Sequence, residues 1–154
     1  MLLLSIDTGD KITGAALFDG WQFFGERTLV TGKNRDEMLS LMVKGLLQDN
    51  RLNFEELDGV ALNGGPGSFT GLRVGAAYAK GLCRALDIPL LPVSALEGLA
   101  HSFRFCGRKI MPLIVARGNE VYYSVYQAVN GKLSELLKPD LAPVEVAAEA
   151  VKEP

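Results

Sequence analysis

Two short segments of this 154-residue chain hold residue types that could do chemistry. The first is Gly64-Gly-Pro-Gly-Ser-Phe-Thr-Gly71, set between an apolar strand-like run and a helical pattern. Glycine lets another group approach the backbone closely, and the free N–H groups opening a helix favour an anion. The ligand would be a phosphate, met by Gly65, Gly67, Ser68, Thr70 and Gly71, with Arg73 nearby. The segment lacks the Lys of a Walker A loop. Gly65-x-Gly67-x-x-x-Gly71 resembles a dinucleotide fingerprint, but the next strand runs into Ser94 with no acidic residue for a ribose. The alternative is a tight strand-to-helix turn capped by Ser68 or Thr70. The second segment is Asp7-Thr8-Gly9, where a carboxylate beside a hydroxyl can hold a phosphate or a hydrated Mg²⁺. Equally, Asp7 can serve as a turn residue that bonds its own backbone.

Other chemistries find little support. Ser68 lies in Pro66-Gly-Ser-Phe-Thr70, which does not make a GxSxG elbow, and His101 is the only histidine. Cys83 and Cys106 have neither CxxC spacing nor partners for a disulfide framework. A zinc site would need carboxylates to complete it. Lys and Arg number 16 against 18 Asp and Glu, a net charge of −2, which argues against a chain that grips nucleic acid on its own. No apolar run approaches the roughly 20 residues of a membrane span, and the first residues lack the basic start of a signal peptide. A soluble, cytoplasmic protein with reduced thiols is expected.

The elements that must position these residues follow from hydrophobic period. Leu2–Asp7, Thr13–Phe18 and Trp21–Val30 read as three strands, the last two joined at Asp19-Gly20. Arg35–Asp49 changes to a helical period, with Asn34 as its N-cap and Glu37 three residues on. Gly59–Asn63 is a buried strand, Gly71–Leu86 a second helix and Leu90–Val93 a further strand. Ser94 caps a third helix through Ala100. Phe103–Lys109 has no period and reads as a hinge; Ile110–Val115, Val121–Val129 and Leu133–Leu137 are strands, and Val144–Pro154 is weakly helical at best. The pattern predicts an α/β fold, a mixed five-stranded sheet with helices on both faces, in a lobe of residues 1–103. Residues 104–154 form an abbreviated second lobe of mostly β structure.

The two long helices carry more apolar surface than one contact with a sheet requires. Leu39, Met42, Val43 and Leu46 form the stripe of the first, and Met38 and Leu41 widen it. In the second, Arg73, Lys80 and Arg84 form the only charged line, and Gly71, Gly75 and Ala79 at spacing four make an edge smooth enough for a close helix contact. Either a protein partner or the second lobe would cover the surplus; the residues for a partner are Met38, Leu41, Met42, Gly75, Tyr78, Ala79 and Leu82.

Leu4-Ser-Ile-Asp7-Thr8, then Gly65-Pro-Gly-Ser-Phe-Thr-Gly-Leu-Arg73-Val-Gly75, Pro92-Val-Ser94-Ala-Leu-Glu97 and Ala116-Arg117 with Glu120-Val121-Tyr122 resemble the bacterial TsaB (YeaZ) family over residues 1–128. The resemblance implies the actin/Hsp70/sugar-kinase (ASKHA) fold, also described as ribonuclease H-like. It implies a non-catalytic scaffold for threonylcarbamoylation of the adenosine next to the anticodon of ANN-decoding tRNAs. Such a scaffold pairs with TsaD through a helical bundle, recruits the ATPase TsaE and forms a homodimer when alone; Phe69 and Arg73 would be exposed enough to contact TsaD or a nucleotide bound there. tRNA would be met only through the complex, with Arg73, Lys80 and Arg84 contributing to a shared basic surface. No cofactor would bind tightly to this chain, ATP, ADP and Mg²⁺ being held through TsaD and TsaE. The alternative is a small nucleotide-binding ATPase or kinase-like enzyme of the same superfamily, with Asp7 and Thr8 facing the phosphates. Departures from the family favour the scaffold. There is no His-x-x-x-His pair, the Asp-Thr-Ser segment is Asp7-Thr8-Gly9, a helix-entry His is Asn34, and an Asp is Val115.

Overall fold

The two-residue period of a strand turns Leu2, Leu4 and Ile6 of Leu2–Asp7 to one side, and that side decides the first half of the fold. A computed structural model describes residues 1–30 and 35–150. Strands β1 (Leu2–Asp7), β2 (Ile12–Asp19), β3 (Gln22–Val30), β4 (Gly59–Asn63) and β5 (Leu90–Val93) form one sheet in the order β3-β2-β1-β4-β5. β1 runs antiparallel to β2 and parallel to β4, the mixed five-stranded arrangement expected. Register aligns Leu4 with Leu17 and Val60, and Ile6 with Ala15 and Leu62. Helices α1 (Arg35–Asp49) and α2 (Phe69–Leu86) close this face. Leu39, Val43, Leu46 and Leu47 of α1 and Ala79 and Cys83 of α2 join the strand residues in a single core. Both long helices therefore share one face of the sheet rather than dividing between two. The Asn34 cap expected for α1 lies outside the described residues.

The chain divides into two compact units, Met1–Val93 and Ser94–Pro154, so α3 (Ala95–His101) groups with the second unit, whereas the sequence placed it at the end of the first. Ser94 Oγ accepts from Glu97 N at 3.4 Å, the N-cap bond that its position predicts. In this unit β6 (Lys109–Ile110) and β7 (Leu113–Val115) pair with different parts of β8 (Glu120–Val129). The sequence reads them as one strand, but Met111-Pro112 interrupts it, because proline cannot donate to a ladder. β9 (Lys132–Pro143) lies on the other edge of β8 and continues beyond the expected end at Leu137. Its Pro139 is tolerated where the register shifts, beside an outer edge that pairs with no described strand. A short α4 (Val144–Glu149) follows, firmer than the sequence suggests. Asn119 Nδ2 donates to both Glu145 oxygens at 3.0 and 2.8 Å, which holds that carboxyl below its ordinary range.

The approach of α2 to β1 sets the closest packing. Gly71, Gly75, Ala79 and Cys83 are the buried residues of α2 and lie along one stripe. A methyl group added to Gly75 would overlap Thr8 Oγ1 and lie 3.3 Å from Leu62 Cδ1. Gly81, on the same helix, has nothing within 4 Å of the same added carbon. Alanine favours a helix interior by up to about 1 kcal/mol over glycine, and overpacking costs about 1–3 kcal/mol. Urea unfolding should therefore give opposite signs for one substitution: Gly81→Ala raises the midpoint, and Gly75→Ala lowers it.

Candidate functional site

The ends of β1 and β4 are neighbours in the parallel pairing, and their loops converge on the start of α2. Asp7 Oδ1 accepts from Gly9 N and from Asn63 Nδ2, each at 2.8 Å. Asn63 Oδ1 in turn accepts from Gly65 N at 2.8 Å. Ser68 N donates to Gly9 O at 2.6 Å, and Gly64 N to Val93 O at 2.8 Å. An added carbon on Gly67 would lie 2.6 Å from Gly9 O, so the glycine loop is pressed against the β1–β2 turn. Thr8 is fully buried, and its hydroxyl donates to Gly71 O at 2.8 Å.

These bonds give the glycine loop the internal partners that a strand-to-helix turn calls for. A phosphate cradle needs N–H groups aimed outward, yet those of Gly64, Gly65, Ser68 and Gly71 all have partners within the chain. Ser68 caps α2 as expected, its Oγ accepting from Gly71 N at 3.3 Å. Thr8 does not face a phosphate, because it is used beneath the helix. Asp7 is a turn residue that also holds Asn63. Of the proposed phosphate contacts, Asp7, Ser68, Thr70 and Arg73 remain exposed, whereas Gly71 and Thr8 are buried and Gly65 and Gly67 partly so. The Arg73 guanidinium lies 3.9 Å from the centre of the Phe69 ring, and that ring is two-thirds exposed.

Asn63 was missed in the sequence, although its place beside Gly64-Gly65 at a strand end was the available signal. Gly9 gains a reason too. A side chain there would put its first carbon 2.8 Å from Asn63 Nδ2, so any residue larger than glycine would disturb this bond. A groove of about 350 Å³ opens beside Asp7, with Asp10, Glu26, Ser5 and Thr28 among its lining. Three carboxylates repel a bare phosphate. Among the described residues, no three His, Cys, Asp or Glu side chains are grouped to hold a metal ion. No described helix is long and apolar enough to cross a membrane.

The proposed interface residues separate into two sets. Met42 is 6% exposed, Ala79 is fully buried, and Gly75 rests on Thr8 and Leu62. These three are corrected to core positions: the small-residue edge of α2 seats it on the sheet, and Met42 follows Leu39 on the inward half of α1. Leu41 is 61% exposed, while Met38, Tyr78 and Leu82 are half-buried. Tyr78 bonds Ser40 across the two helices; burial pushes its phenol up and the Ser40 bond works against that shift.

Replacing Asn63 with Leu removes the bridge between Asp7 and Gly65 and leaves the Gly65 N–H without its acceptor. A hydrogen bond at such a half-buried site contributes about 0.5–1.5 kcal/mol. The expected result is a lower urea midpoint and faster amide exchange at Gly65; an unchanged exchange rate would remove Asn63 from this role.

The family model of TsaD, tRNA N6-adenosine threonylcarbamoyltransferase, matches residues 29–152. The chain is 36% identical over 140 residues to the tRNA threonylcarbamoyladenosine biosynthesis protein TsaB of Bacillus subtilis, covering 91% of this chain and 61% of that protein. It is 33% identical over 129 residues to the Haemophilus influenzae protein of the same name, covering 80% of this chain and 53% of that one. The chain thus spans less than two-thirds of the length of these relatives. YeaZ from Pseudomonas aeruginosa superposes with a TM-score of 0.82 at 30% identity, over 92% of this chain and 67% of that structure. With the family match running through both units and the YeaZ fold reproduced, the chain belongs to the TsaD family and within it resembles the members named TsaB and YeaZ.

Proposed function

We propose that this chain acts in tRNA threonylcarbamoyladenosine biosynthesis as a non-catalytic scaffold that pairs with a TsaD partner through the flank where α1 and α2 meet. The observation that carries the reading is the state of that flank. Leu41 presents most of its side chain to solvent on a helix whose core side is already filled, and Met38, Tyr78 and Leu82 are only half covered. An apolar strip on a helix pair suits helix-on-helix packing, and the unbranched Met38 adapts to a partner's shape. The internal bonding of the glycine loop supports a role without catalysis. The names of the relatives supply the pathway.

On this reading the same strip makes a homodimer in the absence of TsaD, TsaE joins through the pair, and tRNA is met within the complex. Nucleotide and Mg²⁺ belong to the partners, and the chain works in the cytoplasm.

Light-scattering mass of the chain alone and mixed with TsaD from the same organism tests the pairing. Leu41→Asp is the informative variant because Leu41 is exposed, whereas a charge at buried Met42 would disturb the core. The variant should keep the thermal midpoint and weaken pairing at least tenfold, which corresponds to about 1.4 kcal/mol. Pairing of wild-type strength in Leu41→Asp would move the interface elsewhere. A stable monomer that ignores TsaD, together with a thermal midpoint raised by Mg–ATP, would favour the nucleotide-binding enzyme instead.

A further inference from the structure

The acidic balance of the whole chain conceals one basic stretch. From Gly98 to Asn119 the sequence holds Arg104, Arg108, Lys109 and Arg117 and no Asp or Glu. Its centre, residues 101–109, joins α3 to β6 inside the second unit and alternates cations with rings. Phe103 is 62% exposed and Phe105 is 73% exposed, with Arg108 and Lys109 also on the surface. Exposed phenylalanines this close to cations call for a partner with both flat apolar and anionic parts.

Phe105 is also held in place. A side-chain carbon added to Gly131, in the β8–β9 turn, would lie 2.5 Å from Phe105 Cε1, so an edge of the ring rests on that turn. The Arg104 guanidinium sits 4.6 Å from the ring centre. Arg104 Nη1 donates to His101 O at 3.1 Å, which fixes the cation beside the ring. A ring that is both fixed and exposed costs little ordering entropy when something stacks on it.

We propose that residues 101–109 form a contact surface for a single-stranded segment of RNA, with bases stacking on Phe105 and Phe103 and phosphates meeting Arg108 and Lys109. The choice of RNA rests on the tRNA reading above; the stacking and the charge rest on this surface alone. Rings interleaved with cations are the arrangement of single-strand binding surfaces. An amphipathic membrane element would instead gather its apolar groups on one face and its cations on the other.

The test is fluorescence anisotropy of the whole chain with a labelled oligoribonucleotide of about ten residues, inside the roughly 4–16-nucleotide span of known single-strand sites. At low salt the wild-type chain should bind, and Phe105→Ala should weaken binding about tenfold, as loss of one stacked base does, while Phe105→Trp retains it. Arg108→Ala should flatten the slope of log affinity against log salt by about 0.7, one phosphate contact on a single strand. Lys44→Ala, an exposed cation on α1, should change neither. Leu41→Asp should bind the RNA as wild type does, so loss of TsaD pairing and loss of the RNA surface read out separately. Absence of RNA binding at low salt, wild-type affinity in Phe105→Ala, or binding to phosphatidylserine vesicles in place of RNA would each overturn the proposal.

Discussion

The contact between the start of α2 and the end of β1 is the constraint on which the first unit depends. Gly75 lies over Thr8, the Thr8 hydroxyl bonds Gly71 O, and Ser68 N bonds Gly9 O. Together they bring the helix so near the sheet that only glycine fits at Gly75. Everything farther along α2 inherits this seat. Ala79 and Cys83 reach the core of β1 and β4, and Tyr78 is brought within reach of Ser40 on α1. The flank proposed for a partner is therefore a product of the glycine loop, although no loop residue need touch that partner.

The same contact explains how a segment built like an anion site serves a structural purpose. A glycine-rich turn before a helix offers N–H groups, and whether they face a ligand depends on what else they meet. Here Asp7, Asn63 and Gly9 supply the acceptors, directly or in series. Asp7 accepts two bonds through one oxygen and so organises both turns. Arg73 lies over the Phe69 ring, and the groove beside Asp7 is lined by carboxylates.

Much of this order was legible in the residues. Ser94, Asp19-Gly20 and the period change at Arg35 are local signals with local causes, and the elements they mark form where expected. The end of β9 and the gap between β6 and β7 were harder, because proline on an edge or at a break is decided by the neighbouring strand. The site was legible in composition but not in direction. Gly71, Gly75 and Ala79 announce a close approach, yet spacing alone does not say whether sheet or partner helix makes it. Met42 posed the same ambiguity, and Asn63 took on meaning only once β4 lay beside β1.

The central claim is that the glycine loop is a strut fastened within the chain. Amide hydrogen exchange at Gly65 and Ser68, followed with and without Mg–ATP, tests it most directly. The account predicts protection without nucleotide and no change on its addition, because both N–H groups already have acceptors in Asn63 and Gly9. Rapid exchange in the free chain that becomes slow with Mg–ATP would contradict it and make the loop a nucleotide site.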